Sequence, residues 1–137
     1  MENDVLKKKL ESLRRCIQRL TDKRPNTVSE LSNNYDLQDI ISINLERAVQ
    51  ISVDIGAYLL AQENIKVPET MGEVFTALSA ENIIKRDLAE RMRKAVGFRN
   101  ISVHEYENVD WNIVFSIITN NLEDFKSFMK AALMFLF

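Results

Sequence analysis

Val49-Gln50-Ile51-Ser52-Val53-Asp54-Ile55 is the stretch on which the fold turns. Its apolar residues alternate with polar ones, the two-residue period of a half-buried strand. Read that way, it would put a sheet in the middle of the chain. The flanks point the other way. Ile41, Leu45, Ala48, Ile55 and Leu59 recur at helical spacing through the stretch and beyond it. The pattern runs from Asp36, a candidate N-cap, to about Asn64, far longer than a strand. Ile40, Ile43, Val49, Ile51 and Val53 are apolar as well, so this helix belongs at the centre of a bundle. Against that background Arg47, Gln50 and Asp54 stand out, and steps of three and four put them on one face. Polar groups on such a helix need partners. An Arg47–Asp54 pair, or an inter-helix pairing that sets packing and can support a site, is the expectation, ahead of a direct catalytic role for these residues.

The neighbouring segments are helical too. Leu6, Leu10, Leu13, Ile17 and Leu20 form a stripe over residues 4–24. Lys7, Lys8, Lys9, Arg14, Arg15 and Arg19 make its opposite face, read as solvated ahead of the alternative of an RNA contact. Pro25-Asn26-Thr27 ends that helix, and the polar run to Asn34 reads as a loop with capping residues. Val67-Pro68-Glu69-Thr70 is a turn, followed by a short helix with Met71, Val74, Phe75 and Leu78, ending near Ser79. Leu88, Met92, Ala95, Val96 and Phe98 mark the inner face of a helix from Lys85 to about Val103, where Gly97 would permit a close helix approach. A last helix is expected from Asp110, its N-cap, to the C-terminus. Trp111, Val114, Ile118, Leu122, Phe125, Met129, Ala132 and Leu136 keep its period, widened by Phe115, Phe128, Phe135 and Phe137. An end so apolar is a candidate dimer contact. The sum is an all-α bundle of four long helices plus a short one, a single domain over 1–137.

Composition narrows the chemistry. With three glycines and two prolines in 137 residues, turn signals are few and long helices are favoured. The lone Cys16 cannot form an intrachain disulfide, which points to a reducing cytosol. Glu2 and Asp4 near the start argue against a signal peptide, and no apolar run is long enough to suggest a membrane span. A net charge of −2 leaves no broadly basic surface, so any contact with nucleic acid must be local. One histidine and one cysteine cannot build the usual zinc sites, and glycine-rich phosphate loops and Gly-x-Ser-x-Gly elbows are absent.

What remains is Gly97-Phe98-Arg99-Asn100-Ile101-Ser102-Val103-His104-Glu105-Tyr106, which holds that one histidine. An imidazole titrates near neutrality and suits proton transfer, and a guanidinium is a permanently charged fork for phosphate. Together they are what metal-free RNA cleavage needs: a base for the 2′-OH and a cation for the phosphorane. Five residues turn an ideal helix through about 500°, so Arg99 and His104 would not share a face. If they act together, the helix ends between them or the partners come from two chains.

Phe98 to Tyr106 resembles the Arg-x4–6-His motif of the HEPN superfamily, and in its longer form, Arg-Asn-x-x-x-His-x-Tyr, that of the HepT-type toxins. Chain length, the helical pattern, the Arg47-x-x-Gln50-x-x-x-Asp54 face and the Val67-Pro68 turn are similar to that family throughout. The resemblance implies a HEPN-type homodimer acting as a metal-independent endoribonuclease, the toxin of a type VII-like HEPN/MNT toxin–antitoxin system. Arg99 and His104 match its catalytic pair, Asn100 the polar residue beside the arginine, and Tyr106 the tyrosine that receives AMP. The donor would be an MNT-type nucleotidyltransferase antitoxin using ATP and Mg²⁺; the toxin itself would need no cofactor. An AMP group would place bulk and negative charge where RNA phosphate must bind. The competing reading is a non-catalytic HEPN module for RNA binding or protein docking, in which Arg99 and His104 only hold a helix junction. A third, that the chain is itself the antitoxin, lacks a nucleotidyltransferase signature.

Overall fold

The computed structural model describes residues 2–136, with side chains from Asp4 onward; the expected apolar contribution of Phe137 lies outside them. Seven α-helices and one 3₁₀ turn account for the described secondary structure. They are α1 (Glu2–Lys23), α2 (Val28–Ser32), α3 (Tyr35–Gln62), α4 (Met71–Ala80), α5 (Arg86–His104), the turn Tyr106–Asn108, α6 (Trp111–Asn120) and α7 (Leu122–Leu136). The alternating stretch lies inside α3, where Val49, Ser52, Ile55 and Leu59 are wholly buried. Helices pack against α3 on several sides: α1 most extensively, then α4, α5, α7 and α2. A helix enclosed this way can be apolar all round, and so its sequence imitates a strand.

The α1 stripe Leu6, Leu10, Leu13, Ile17 and Leu20 is buried as its spacing predicts. On its basic face Lys9 turns aside to pair with Asp54 of α3, Nζ to Oδ2 3.3 Å. The 25–34 segment is not all loop. Thr27 caps α2 by accepting from the Glu30 amide (3.2 Å), while a Glu30 oxygen accepts from the Asn26 amide (3.0 Å). This is close to a reciprocal capping box. Asn34, not Asp36, caps α3: its Oδ1 accepts from the Leu37 amide at 3.0 Å, which leaves Asp36 in the first turn beside the helix dipole.

Helices α3 and α4 end alike. Asn64 (φ 57°) and Asn82 (φ 59°) take the left-handed conformation usually given to glycine. The Ile65 amide reaches the Leu60 carbonyl and the Asn64 amide that of Ala61. Ile83 to Leu78 and Asn82 to Ser79 repeat the motif. Asparagine tolerates this backbone, so a glycine-poor chain can still stop its helices.

The expected single C-terminal helix is two. Asp110 does cap α6, accepting from the Asn112 amide at 2.9 Å. The run then breaks at Asn121, whose side-chain amide binds Asp124 at 3.1 Å. An asparagine that serves local hydrogen bonds competes with helix continuation. Val114, Ile118, Leu122, Phe125, Phe128 and Ala132 are nevertheless buried in one core, with Phe128 edge-on to Phe75 of α4 (5.6 Å). Leu133, Met134 and Phe135 remain exposed at the end of α7.

Gly97 does not mediate a close approach: it is exposed, and a Cβ there would meet nothing within 4 Å. That part belongs to Gly56 of α3. A Cβ on Gly56 would lie 2.7 Å from Val74 Cγ1 and 2.9 Å from Leu78 Cδ1, so α4 rests directly on its backbone.

Candidate active site

The C-terminal half of α5 runs antiparallel to the first half of α3, and three side chains of the Arg99–Tyr106 motif each reach an α3 partner. Arg99 Nη2 donates to Gln50 Oε1 at 3.3 Å. The Ser102 hydroxyl donates to a Glu46 carboxylate oxygen. The Tyr106 hydroxyl donates to Asp39 Oδ1 at 2.9 Å. Residues 39, 46 and 50 are seven and four apart, so they line one face of α3. Helix α5 closes when the Glu105 amide binds the Ile101 carbonyl (2.7 Å). The 3₁₀ turn then folds Tyr106 back over α3, its ring edge-on to Trp111 at 6.0 Å.

Gln50 is oriented by what lies behind it. Its Nε2 donates to Asp54 Oδ1 at 3.0 Å, and Asp54 Oδ2 accepts from Lys9 of α1 at 3.3 Å. A carboxylate only accepts, so the amide must turn its NH₂ toward Asp54 and its oxygen toward Arg99. A string Lys9–Asp54–Gln50–Arg99 therefore ties three helices to one guanidinium. Arg99 Nη1 donates to Asn100 Oδ1 at 3.2 Å, and Nε is buried without an acceptor among the described residues. The expected inter-helix pairing from the Gln50/Asp54 face is present; a direct Arg47–Asp54 pair is not. Seven residues separate them by about 10.5 Å along the axis, Gln50 stands between, and Arg47 is exposed to solvent.

His104 is the last residue of α5 and is exposed. Because α5 continues unbroken through both residues, Arg99 and His104 point about 140° apart. A helix ending between them is thus ruled out as the means of bringing them together. Tyr106 is half-exposed, and burial of its ring is the main reason its hydroxyl holds its proton above pH 10. The hydrogen bond to Asp39 and the charges of Asp39 and Glu46 add to this, while the nearby Ser42 hydroxyl works against it.

Arg99, Asn100, His104, Tyr106, Arg47, Gln50 and Asp54 stand out in the sequence, whereas Asp39, Glu46, Ser102 and Lys9 do not stand out as site residues. The signal was available for the acids: 39, 46, 50 and 54 form one polar line along an otherwise apolar helix.

Residues 6–132 match the family described as ribonuclease HepT-like. The chain belongs to the HepT-like ribonuclease family. A HepT-like relative named mRNA nuclease HepT, from Shewanella oneidensis, is 32% identical over 127 residues, covering 93% of this chain and 95% of the relative. A tRNA nuclease HepT from Aphanizomenon flos-aquae is 25% identical over 130 residues, 95% of this chain and 88% of that one. Among solved HepT-like structures, the tri-AMPylated Shewanella oneidensis HEPN toxin in complex with MNT antitoxin superposes with a TM-score of 0.90 at 30% identity, covering 96% of this chain and 98% of that one. Among the described residues no helix is long and apolar enough to cross a membrane.

Proposed function

We propose that this chain is the toxin of a HEPN/MNT toxin–antitoxin pair, an endoribonuclease that cuts RNA without a metal. It acts as one domain, paired with a second copy, in the cytosol where its lone cysteine stays reduced. Arg99 and His104 are the catalytic residues. Asn100 and Asp54 position the arginine, and Arg47 supports the site from the exposed side of α3. Tyr106 accepts AMP from an MNT-type nucleotidyltransferase and is thereby the off-switch.

The observation that carries this reading is the immobilised guanidinium: Arg99 is clasped by Gln50 and Asn100 at the head of a string anchored in α1. A cation held in place before substrate arrives needs no reorganisation when charge develops on a phosphorane. In the reaction, a His104 imidazole takes the proton of the ribose 2′-OH, and that oxygen attacks the adjacent phosphorus. Charge grows on the non-bridging oxygens beside Arg99. The 5′-oxygen leaves with a proton from a second imidazole. One chain has one histidine, and its Arg99 and His104 diverge, so a two-fold cleft supplies the missing groups.

The test is cleavage of a mixed RNA pool in excess EDTA by wild type, Arg99→Ala and His104→Ala, with the intact mass of each sample recorded. Cutting by wild type that both substitutions abolish is the expected result. An unmodified wild-type protein that leaves RNA intact would refute the assignment and favour a docking module.

A further inference from the structure

We propose that Asp39 is a catalytic residue of the silencing step, taking the Tyr106 hydroxyl proton as that oxygen receives AMP. The inference rests on Tyr106 being the AMP acceptor, and it assigns part of the transfer chemistry to the toxin rather than to its modifying enzyme.

The hydroxyl donates to Asp39 Oδ1 at 2.9 Å, so the phenolic proton already points at a carboxylate before any nucleotide arrives. Donating that proton leaves the oxygen lone pairs free to face an incoming phosphorus. The ring is held for this: its edge meets Trp111, and the 3₁₀ turn that carries it is closed by the Asn108 amide on the Glu105 carbonyl (2.8 Å). Tyr106 remains 40% exposed, so a nucleotide can reach it.

The phenol is not ionised in advance. Burial and its acidic surroundings hold the proton on, and the titratable groups that face it are Asp39 and Glu46, both of α3. A neutral phenol is a weak nucleophile, so its proton must leave as the new bond forms. Glu46 is already engaged by Ser102, which leaves Asp39 as the carboxylate in contact. As the Tyr106 Oη–phosphorus bond forms at the α-phosphorus of a nucleoside triphosphate, the bond from that phosphorus to its β-bridging oxygen breaks. Pyrophosphate leaves with the electron pair, the proton passes to Asp39, and nothing is oxidised or reduced. Protein kinases place an aspartate against a substrate hydroxyl in the same way, although there the enzyme supplies it.

A restraining role would have the opposite effect: removing Asp39 would free the tyrosine and speed its modification. Single-turnover AMP transfer separates the two. Wild type, Tyr106→Phe, Asp39→Asn, Asp39→Ala and Asp39→Glu are each mixed with saturating MNT-type nucleotidyltransferase, ATP and Mg²⁺. Intact mass is followed over time, with thermal melting as the control for folding. Asp39→Asn and Asp39→Ala should slow transfer on the order of 100-fold, and Asp39→Glu should recover much of it. The residual rate of Asp39→Asn should climb with pH as phenolate forms, more steeply than in wild type. Either neutral variant reacting at the wild-type rate or faster, with Tyr106→Phe inert, overturns the inference alone. AMP gained by Tyr106→Phe, or none by wild type, overturns the acceptor reading and this inference with it.

Discussion

Replacing Gln50 with leucine removes the link between Arg99 and α3 while leaving the charge of Arg99 in place. Leucine stops one atom short of the glutamine oxygen and neither accepts nor donates. Arg99 Nη2 loses its 3.3 Å acceptor, and Asp54 keeps only Lys9. A hydrogen bond from a charged donor contributes about 1.5–3 kcal/mol, and at this length and partial burial the low end applies. About 1.5 kcal/mol is roughly tenfold in rate if the arginine must be held for the transition state. Single-turnover cleavage of a short RNA should therefore slow about tenfold in Gln50→Leu, far less than in Arg99→Ala. Because the guanidinium is loosened rather than removed, RNA affinity should change little. Adding Asp54→Asn to Gln50→Leu should cost little more, since the two act through one string and their effects are not additive. A Gln50→Leu protein cutting at the wild-type rate, beside an inert Arg99→Ala, would refute the claim that α3 holds the arginine in its working position.

Two of the three helical glycines, Gly56 and Gly97, should respond to alanine with opposite signs. At Gly56 overpacking against Val74 and Leu78 costs about 1–3 kcal/mol, offset by about 1 kcal/mol of helix propensity, whereas Gly97→Ala should gain about 0.5–1 kcal/mol; thermal melting decides. Tyr106 also contributes a pH term. Its folded-state pKa lies above the ordinary 10.0, so the neutral hydroxyl's stabilisation is complete below pH 10 and is lost as pH rises through the folded value. The stability difference between wild type and Tyr106→Phe should accordingly shrink in alkaline denaturant titrations; a difference that grows above pH 10 would contradict this. Burial raises the pKa of the Cys16 thiol, so iodoacetamide at pH 8 should label the native protein much more slowly than the urea-unfolded chain, read by mass.

The bundle was legible because burial on one stripe, or all round, leaves a periodic record. Leu6 to Leu20 and Ile41 to Leu59 are where their spacing puts them. The interruption at Asn121 left no such record: the apolar period runs straight through it, and Leu122 and Phe125 stay in register with Ile118. Short α2 was hidden by its polarity, although Thr27-x-x-Glu30 is a start signal in its own right. At the site, the Arg99–Tyr106 motif could be read from one segment of chain. Its α3 partners Asp39 and Glu46 fall on the same polar line as Gln50 and Asp54, but spacing along α3 does not say which helix covers that line. Arg47 drew attention for the opposite reason: a charge on an apolar helix looks as though it needs a partner, yet it stands at the exposed edge. Gly97 misled in the same way, since neither its neighbours nor its spacing reveal which side of α5 is left open.

The line of α3 acids and amide has a consequence for how this chain can vary in length. Asp39 and Gln50 lie about 16 Å apart on a rigid rod, one latching the tyrosine and the other the arginine. A single residue inserted between them would rotate one end against the other by about 100°, so only one latch could stay engaged. On the roles proposed for Arg99 and Tyr106, the helix is a gauge between the cutting group and the silencing group. This span can change in length only at the expense of one of its two latches.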